Sequence, residues 1–536
     1  MIFSNNYSSY PFPSRRVTVF SKNGMVAAAQ PLGAQAGLEI LKKGGNAVDA
    51  AIATAACLTV VEATSNGIGG DAFAIVWMNG KIHGLNASGP APKALTIDKL
   101  KSMGINEIPS YGFIPVTVPG VPSAWIALSK RFGKLPFKEV LAPAIKFARE
   151  GYPINPTLAY FWNNAYKVYQ SKTSGEEFEE WFKTFAPNGR APKVGEVWSS
   201  ENHAKTLEML ADTECNSFYK GDIADKIDAF SRKYGGFIRK SDLENYEPEW
   251  VMPLKVNYRG YDVWELPPNG QGMIALEALN ILKNFNFRET NSSSIHLQIE
   301  AMKLAFADGL KHITDPRFED IPVNKLLSDD YGKVQSQKIK ETAQDYSIKP
   351  QTGGTVYLAT ADKDGNMVSY IQSNYMGFGS GLVVPGTGIA LQNRGHTFSL
   401  NPKDANALAP GKRTYHTIIP GFLSQGKNPI GPFGVMGGFM QPQGHLQVLM
   451  NTIDFKLNPQ AAIDAPRWYW VKNKKIKVEQ HMPNYIVHEL EAMGHEIEID
   501  HSLGLFGRGQ IIWRNPETKV LCGGSEPRTD GMIALY

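Results

Sequence analysis

One short run of this chain holds the parts of a nucleophile that could activate itself. Gly353-Gly354-Thr355-Val356-Tyr357 is a flexible glycine pair meeting a hydroxyl residue at the start of a β-prone run. A threonine hydroxyl is a weak nucleophile and needs a base beside it. An α-amine can serve, with an unperturbed pKa of about 7.7–8.0. An amide nitrogen cannot, because its lone pair is delocalised into the carbonyl. The chemistry therefore requires the chain to break before Thr355. Oγ attacks the carbonyl of Gly354, and water then opens the resulting ester. A glycine before the threonine suits this, since it has no Cβ to block the approach. On the bare pattern the plainer reading is a loop feeding a strand, with threonine as an ordinary β-branched starter.

Other chemistries lack their residues. There is no GxxxxGK[ST] phosphate loop and no HExxH; His495-Glu496 has no second histidine at the required spacing. Ser380 in GFGSG is flanked by Phe378 and Leu382 rather than by the glycines of a nucleophile elbow. GIGGDA at 67–72 matches a dinucleotide fingerprint, but it follows a helical pattern and leads into a strand, the reverse of the required order. The 11 histidines are scattered without metal-ligand spacing, so neither a metal nor a cofactor is expected. Cys57, Cys215 and Cys522 are too far apart in sequence to suggest a disulfide framework. A net charge of +4 on 536 residues is too weak to argue for nucleic acid. No membrane span is expected, because the most apolar stretch, 47–61, is short and carries Asp49. The first residues, MIFSNNYSSYPFPSRR, lack the apolar core of a signal peptide, so a cytoplasmic location is expected, with export by a leaderless route left open.

The elements that must position Thr355 can be read around it. The polar run 336–354 ends in paired glycines and reads as a linker. A hairpin follows at once: strand 355–361, a turn at Asp362-Lys363-Asp364-Gly365-Asn366, and strand 367–373. Nearer the N-terminus, 34–41 reads as a helix stopped by Gly44-Gly45. Asn46 then caps an Ala-rich helix over 47 to about 61, apolar nearly all round and therefore buried. The run 72–78 reads as a buried strand, turning at Asn79-Gly80 into 81–85. Residues 120–310 read as mostly helical, with helical spacing clearest at 294–308, and a second glycine-rich region runs from 377 to 388. The chain has 43 % apolar and 20 % charged residues, inside the globular range, which excludes disorder and coiled coil.

These runs, taken in order, resemble the γ-glutamyltranspeptidases, a family of self-processing N-terminal-nucleophile hydrolases. The resemblance is carried by GGNAVDAAIATAACLTVVE at 44–62, SNGIGGDAF at 65–73, TVPGVPSAW at 117–125 and LAPAIKFAREGYPI at 141–154. It continues through ELPPNGQG at 265–272, EAMKLAFAD at 300–308, GGTVYLATADKDGNMVS at 353–369, GVMGG at 434–438 and GGSEPRTDG at 523–531. It implies an α+β fold, the four-layer αββα sandwich of N-terminal-nucleophile hydrolases. It also implies self-cleavage between Gly354 and Thr355. Residues 1–354 would form a large subunit and 355–536 a small one, both sharing one sandwich. The product would be a heterodimer of the chain's own two fragments, with a dimer of these left open. Thr355 takes the nucleophile position, Ser373 that of a supporting hydroxyl, and Gly437-Gly438 that of the oxyanion hole. Two bare N–H groups can approach a developing oxyanion where side chains would obstruct them.

The resemblance weakens where the family reads its γ-glutamyl group. The family's large-subunit Arg is missing from Leu85-Asn86-Ala87-Ser88-Gly89-Pro90. Its Asn after the hairpin falls on Tyr375, and its amine-binding Gln and Asp fall on Arg394 and Thr397. The run holding its paired serines is shortened to Lys412-Arg413-Thr414-Tyr415-His416-Thr417, so Arg413 and His416 join the candidate substrate-binding residues. The gain of Arg394 with loss of the acid suggests an acyl group bearing a carboxylate but no ammonium. The partner expected is thus a small-molecule amide. Three functions stay open at this point. One is a γ-glutamyltransferase or glutathione hydrolase. Another is an acylase or amidohydrolase for a glutaryl- or oxamate-type amide. The last is an inactive binding protein on the same fold.

Overall fold

The computed structural model describes residues 16–346 and 353–536. The reading of the first residues, and the 347–352 part of the linker, lie outside them. Two seven-stranded antiparallel sheets dominate. Sheet A runs in the order Val19–Ser21, Leu521–Ser525, Arg508–Arg514, Asn428–Met436, Gly421–Gln425, Tyr261–Glu265, Leu254–Tyr258. Sheet B runs Met532–Leu535, Gly24–Ala28, Gly354–Asp362, Met367–Tyr375, Asp71–Met78, Lys81–Ala87, Glu249–Val251. The hairpin 354–375 thus lies at the centre of sheet B.

Strand alternation builds the layers. Along Gly354–Asp362, Tyr357, Ala359 and Ala361 point into the space between the sheets, where they meet Phe73, Phe422 and Ile512. Val356 and Leu358 point the other way, onto helices that include Ala47–Val61. On the far side, Val263, Leu423 and Phe433 of sheet A pack on Gly272–Leu282, Ser292–His312 and Met440–Ile453. The order is helix, sheet, sheet, helix, the expected αββα sandwich.

Local predictions hold to within a few residues. Asn46 caps Ala47–Val61 through a reciprocal bond set with Asp49, and every residue of that helix is buried. Pro31–Lys42 ends before Gly44, whose φ of 96° needs glycine. The 120–310 stretch needs correction, because Glu249–Val251, Leu254–Tyr258 and Tyr261–Glu265 are strands. More and less buried residues alternate along the last two, and Arg259-Gly260, both at positive φ, makes the hairpin turn between them.

Candidate active site

Thr355 stands at the head of the central hairpin, in a bulge. Gly354 pairs with Tyr375 and Val356 with Gln372, so Ser373 and Asn374 together oppose Thr355 alone. Bulges of this kind re-aim a side chain. Here the bulge brings Thr355 Oγ1 to 3.2 Å from Ser373 Oγ and 2.6 Å from the carbonyl oxygen of Gly354. Ser373 donates its own hydroxyl to that carbonyl at 2.7 Å and accepts from the Tyr375 N–H at 2.8 Å. Tyr375 takes φ of 75°, and this left-handed step turns the strand end back toward Ser373. Thr355 and Ser373 are both buried.

Arg394 supports this triangle from behind. It is 1 % exposed, donates from Nη1 to Thr417 Oγ1 at 2.7 Å and from Nη2 to Ser373 Oγ at 3.3 Å, and lies over the Tyr375 ring at 4.4 Å. Burial lowers its pKa to about 10, against the pull of Asp71, so it is a cation at neutral pH. Asp71 is itself pushed up to about 7 by burial, which Arg394 opposes. His416 donates Nε2–H to Asp71 at 3.0 Å, and burial lowers its pKa, so it is neutral.

A cleft of about 470 Å³ opens over the hairpin head. Gly353 and Gly354 form one edge and Met436-Gly437 another; Tyr111, Phe161, Val168, Tyr169, Leu503 and Leu505 give it an apolar wall. Gly437 and Gly438 connect strand Asn428–Met436 to helix Met440–Ile453. Their φ values of 139° and 59° demand glycine. Their N–H groups donate to no protein acceptor among the described residues. Gln271 Nε2 fixes the loop by donating to Gly438 O at 2.9 Å.

The other sequence candidates do not line this cleft. Arg394 faces Ser373 from the protein side, so its expected role as a carboxylate clamp has no open approach here. Tyr375 is buried beneath it. Thr397 bonds to the carbonyls of Arg394 and Tyr415 and borders a separate cavity. Arg413 is occupied by Glu249 at 2.5 Å, and His416 by Asp71. These polar groups bond within the protein, and none of them lines the cleft beside Gly354 and Gly437. The cation that does line the cleft is Arg508, from the glycine-rich run Gly504-Leu505-Phe506-Gly507-Arg508-Gly509. Sequence reasoning passed over it, although the density of glycines around a lone Arg was a usable signal.

The sandwich agrees with the comparisons. The family model described as Gamma-glutamyltranspeptidase matches residues 33–536. The "Glutathione hydrolase-like YwrD proenzyme" of Bacillus subtilis is 35% identical over 526 residues, 96% of this chain and 98% of that protein. The "Oxamate amidohydrolase proenzyme" of Klebsiella pneumoniae is 33% identical over 537 residues, 96% of this chain and 99% of that protein. The crystal structure of a cephalosporin acylase from Bacillus halodurans superposes with a TM-score of 0.96 at 60% identity, covering 99% of both chains.

Proposed function

The chain belongs to the γ-glutamyltranspeptidase family of amide hydrolases, and from that membership we propose that it cuts itself before Thr355 and then uses Thr355 as its nucleophile. The observation that carries this reading is the triangle of Thr355 Oγ1, Ser373 Oγ and the Gly354 carbonyl. Ser373 polarises the carbonyl, and Thr355 Oγ1 lies beside it. Attack forms an ester while the Gly354–Thr355 C–N bond breaks, and the departing nitrogen takes a proton to become an amine. Water then cleaves the ester, leaving a carboxylate on Gly354 and a free hydroxyl and α-amine on Thr355.

In turnover the amine accepts the Thr355 hydroxyl proton as Oγ1 attacks the substrate carbonyl. The N–H groups of Gly437 and Gly438 receive the oxyanion. Collapse expels the amine product, and water releases the acid. The described residues lining the cleft include no Asp or Glu that could pair with a substrate ammonium. This favours an acylase acting on acyl groups without an α-amino group over a glutathione hydrolase.

The test is N-terminal sequencing and an anilide panel. The purified protein should give two fragments, the smaller beginning TVYLATAD, and Thr355→Ala should stay whole and inactive. An active enzyme that remains uncut would refute the nucleophile. Wild type should hydrolyse glutaryl anilide at least as well as γ-glutamyl anilide. A strong preference for the γ-glutamyl form would restore the glutathione hydrolase reading.

A further inference from the structure

Arg508 is placed as a binding group would be. It begins strand Arg508–Arg514 of sheet A and pairs across the ladder with Met436, the residue before Gly437. Its Cα therefore lies within roughly 4.5–5.5 Å of the strand that ends in the oxyanion glycines. The side chain is 6 % exposed and lines both the cleft and a small neighbouring pocket that it shares with Glu62 and Asp530, whose carboxylates, with Glu526, also attract it. Its guanidinium lies over the Phe161 ring at 4.2 Å, which fixes the plane. Nη1 donates to Glu62 Oε1 at 3.1 Å. Nε is buried with no acceptor, and Nη2 has none among the described residues; it lies on the Gly504 side, 3.6 Å from where a Cβ there would stand. Glu62 holds only one edge of the fork, so Arg508 keeps donors unmatched beside the reacting centre.

We propose that Arg508 is the specificity residue of this enzyme, binding the terminal carboxylate of a short acyl chain whose carbonyl sits between Thr355 and Gly437. The inference rests on the amide-hydrolase reading of the cleft. It names the acyl class: a dicarboxylic half-amide, such as a glutaryl amide, in place of an uncharged fatty acyl amide. Glu62 is a positioning residue in this arrangement. It spends one edge of the fork to hold the other toward the cleft, and Gly504 leaves that edge uncovered. A carboxylate entering there replaces water at a partly desolvated cation, where charge-assisted bonds are strong.

The experiment compares glutaryl anilide with the neutral pentanoyl anilide on the processed enzyme, and measures glutarate binding by calorimetry. Wild type should favour the glutaryl substrate. Arg508→Met should lower the glutaryl-to-pentanoyl ratio of kcat/KM by about tenfold or more and abolish glutarate binding. Arg508→Lys keeps the charge beside Glu62, so it guards against loss of folding; it should recover part of the ratio, because an ammonium lacks the fork. A ratio that is unchanged in both variants, or a wild type indifferent to the carboxylate, overturns the proposal. If wild type hydrolyses neither anilide, the amide-hydrolase reading fails instead, and calorimetry still decides Arg508. Glutarate binding lost in Arg508→Met upholds it, and binding that is equal or absent in wild type refutes it.

Discussion

At the scale of single residues, the site is a contest over one proton. Once Thr355 has a free amine, kcat/KM should rise with pH as that amine loses its proton. Arg394, a cation bonded to Ser373 and charged across this range, disfavours a second positive charge nearby. The inflection should therefore fall at or below about 7.7–8.0. Arg394→Met should move it to higher pH, because removing a neighbouring cation lets the amine hold its proton longer. A pH–rate profile of both proteins checks this, and a flat wild-type profile from pH 5 to 9 would remove the amine as base. Thr355 was singled out in sequence through the ordered motifs of the resemblance, because its own run of glycine, hydroxyl and strand also reads as an ordinary strand start. The substrate contacts were not. Arg394 and Arg508 read alike as letters, yet one is walled in by Ser373, Thr417 and Tyr375 while the other borders the cleft. Which way a side chain faces depends on strand registers set far away in the chain.

At the scale of elements, the hairpin and the capped helix beneath it were readable because turn, cap and periodicity signals all lie within each segment. Strand Glu249–Val251 was not, since it pairs with a partner more than 150 residues away, whereas the hairpin Leu254–Tyr258 and Tyr261–Glu265 carried its alternation and its Arg259-Gly260 turn within the segment and was missed among the surrounding helices. The Arg508 strand is held by a buried ion network. Glu526 accepts from Gly509 N at 2.7 Å, Arg467 Nη2 at 2.8 Å and Arg528 Nη1 at 2.7 Å. Burial pushes the Glu526 pKa up, but Arg467 and Arg528 outweigh burial and hold it below its ordinary value. Glu526→Gln leaves buried Arg467 without its ion-pair partner, while Arg528 keeps Glu479, and should cost about 3–5 kcal/mol at neutral pH. The native carboxyl has the depressed pKa, so its contribution is present above the unfolded value of about 4.3. It is lost as pH falls through the native value. Denaturant melts at pH 7 and pH 3 should show the wild-type advantage shrinking at the lower pH. An equal penalty at both would mean the charge is not what stabilises.

At the scale of the molecule, the proposed fragments do not divide into halves. In sheet B, Gly24–Ala28 of the large fragment lies between Met532–Leu535 and the hairpin that Thr355 begins, both of the small one, and the hairpin's other side pairs with Asp71–Met78 of the large one. Sheet A is likewise shared. After cleavage the two pieces should elute together from a sizing column and melt in a single transition. Separation without denaturant would contradict this interleaving. The same weave gives the cut a direction in time. The uncut polypeptide folds with all its strands on one tether, so its rate is independent of concentration. Two severed pieces that come fully apart must first meet, at the cost of translational and rotational freedom. Their recovery becomes second order, slowing as the solution is diluted. Maturation thus turns a molecule that can rehearse its folding into one that has, at cellular dilution, a single performance.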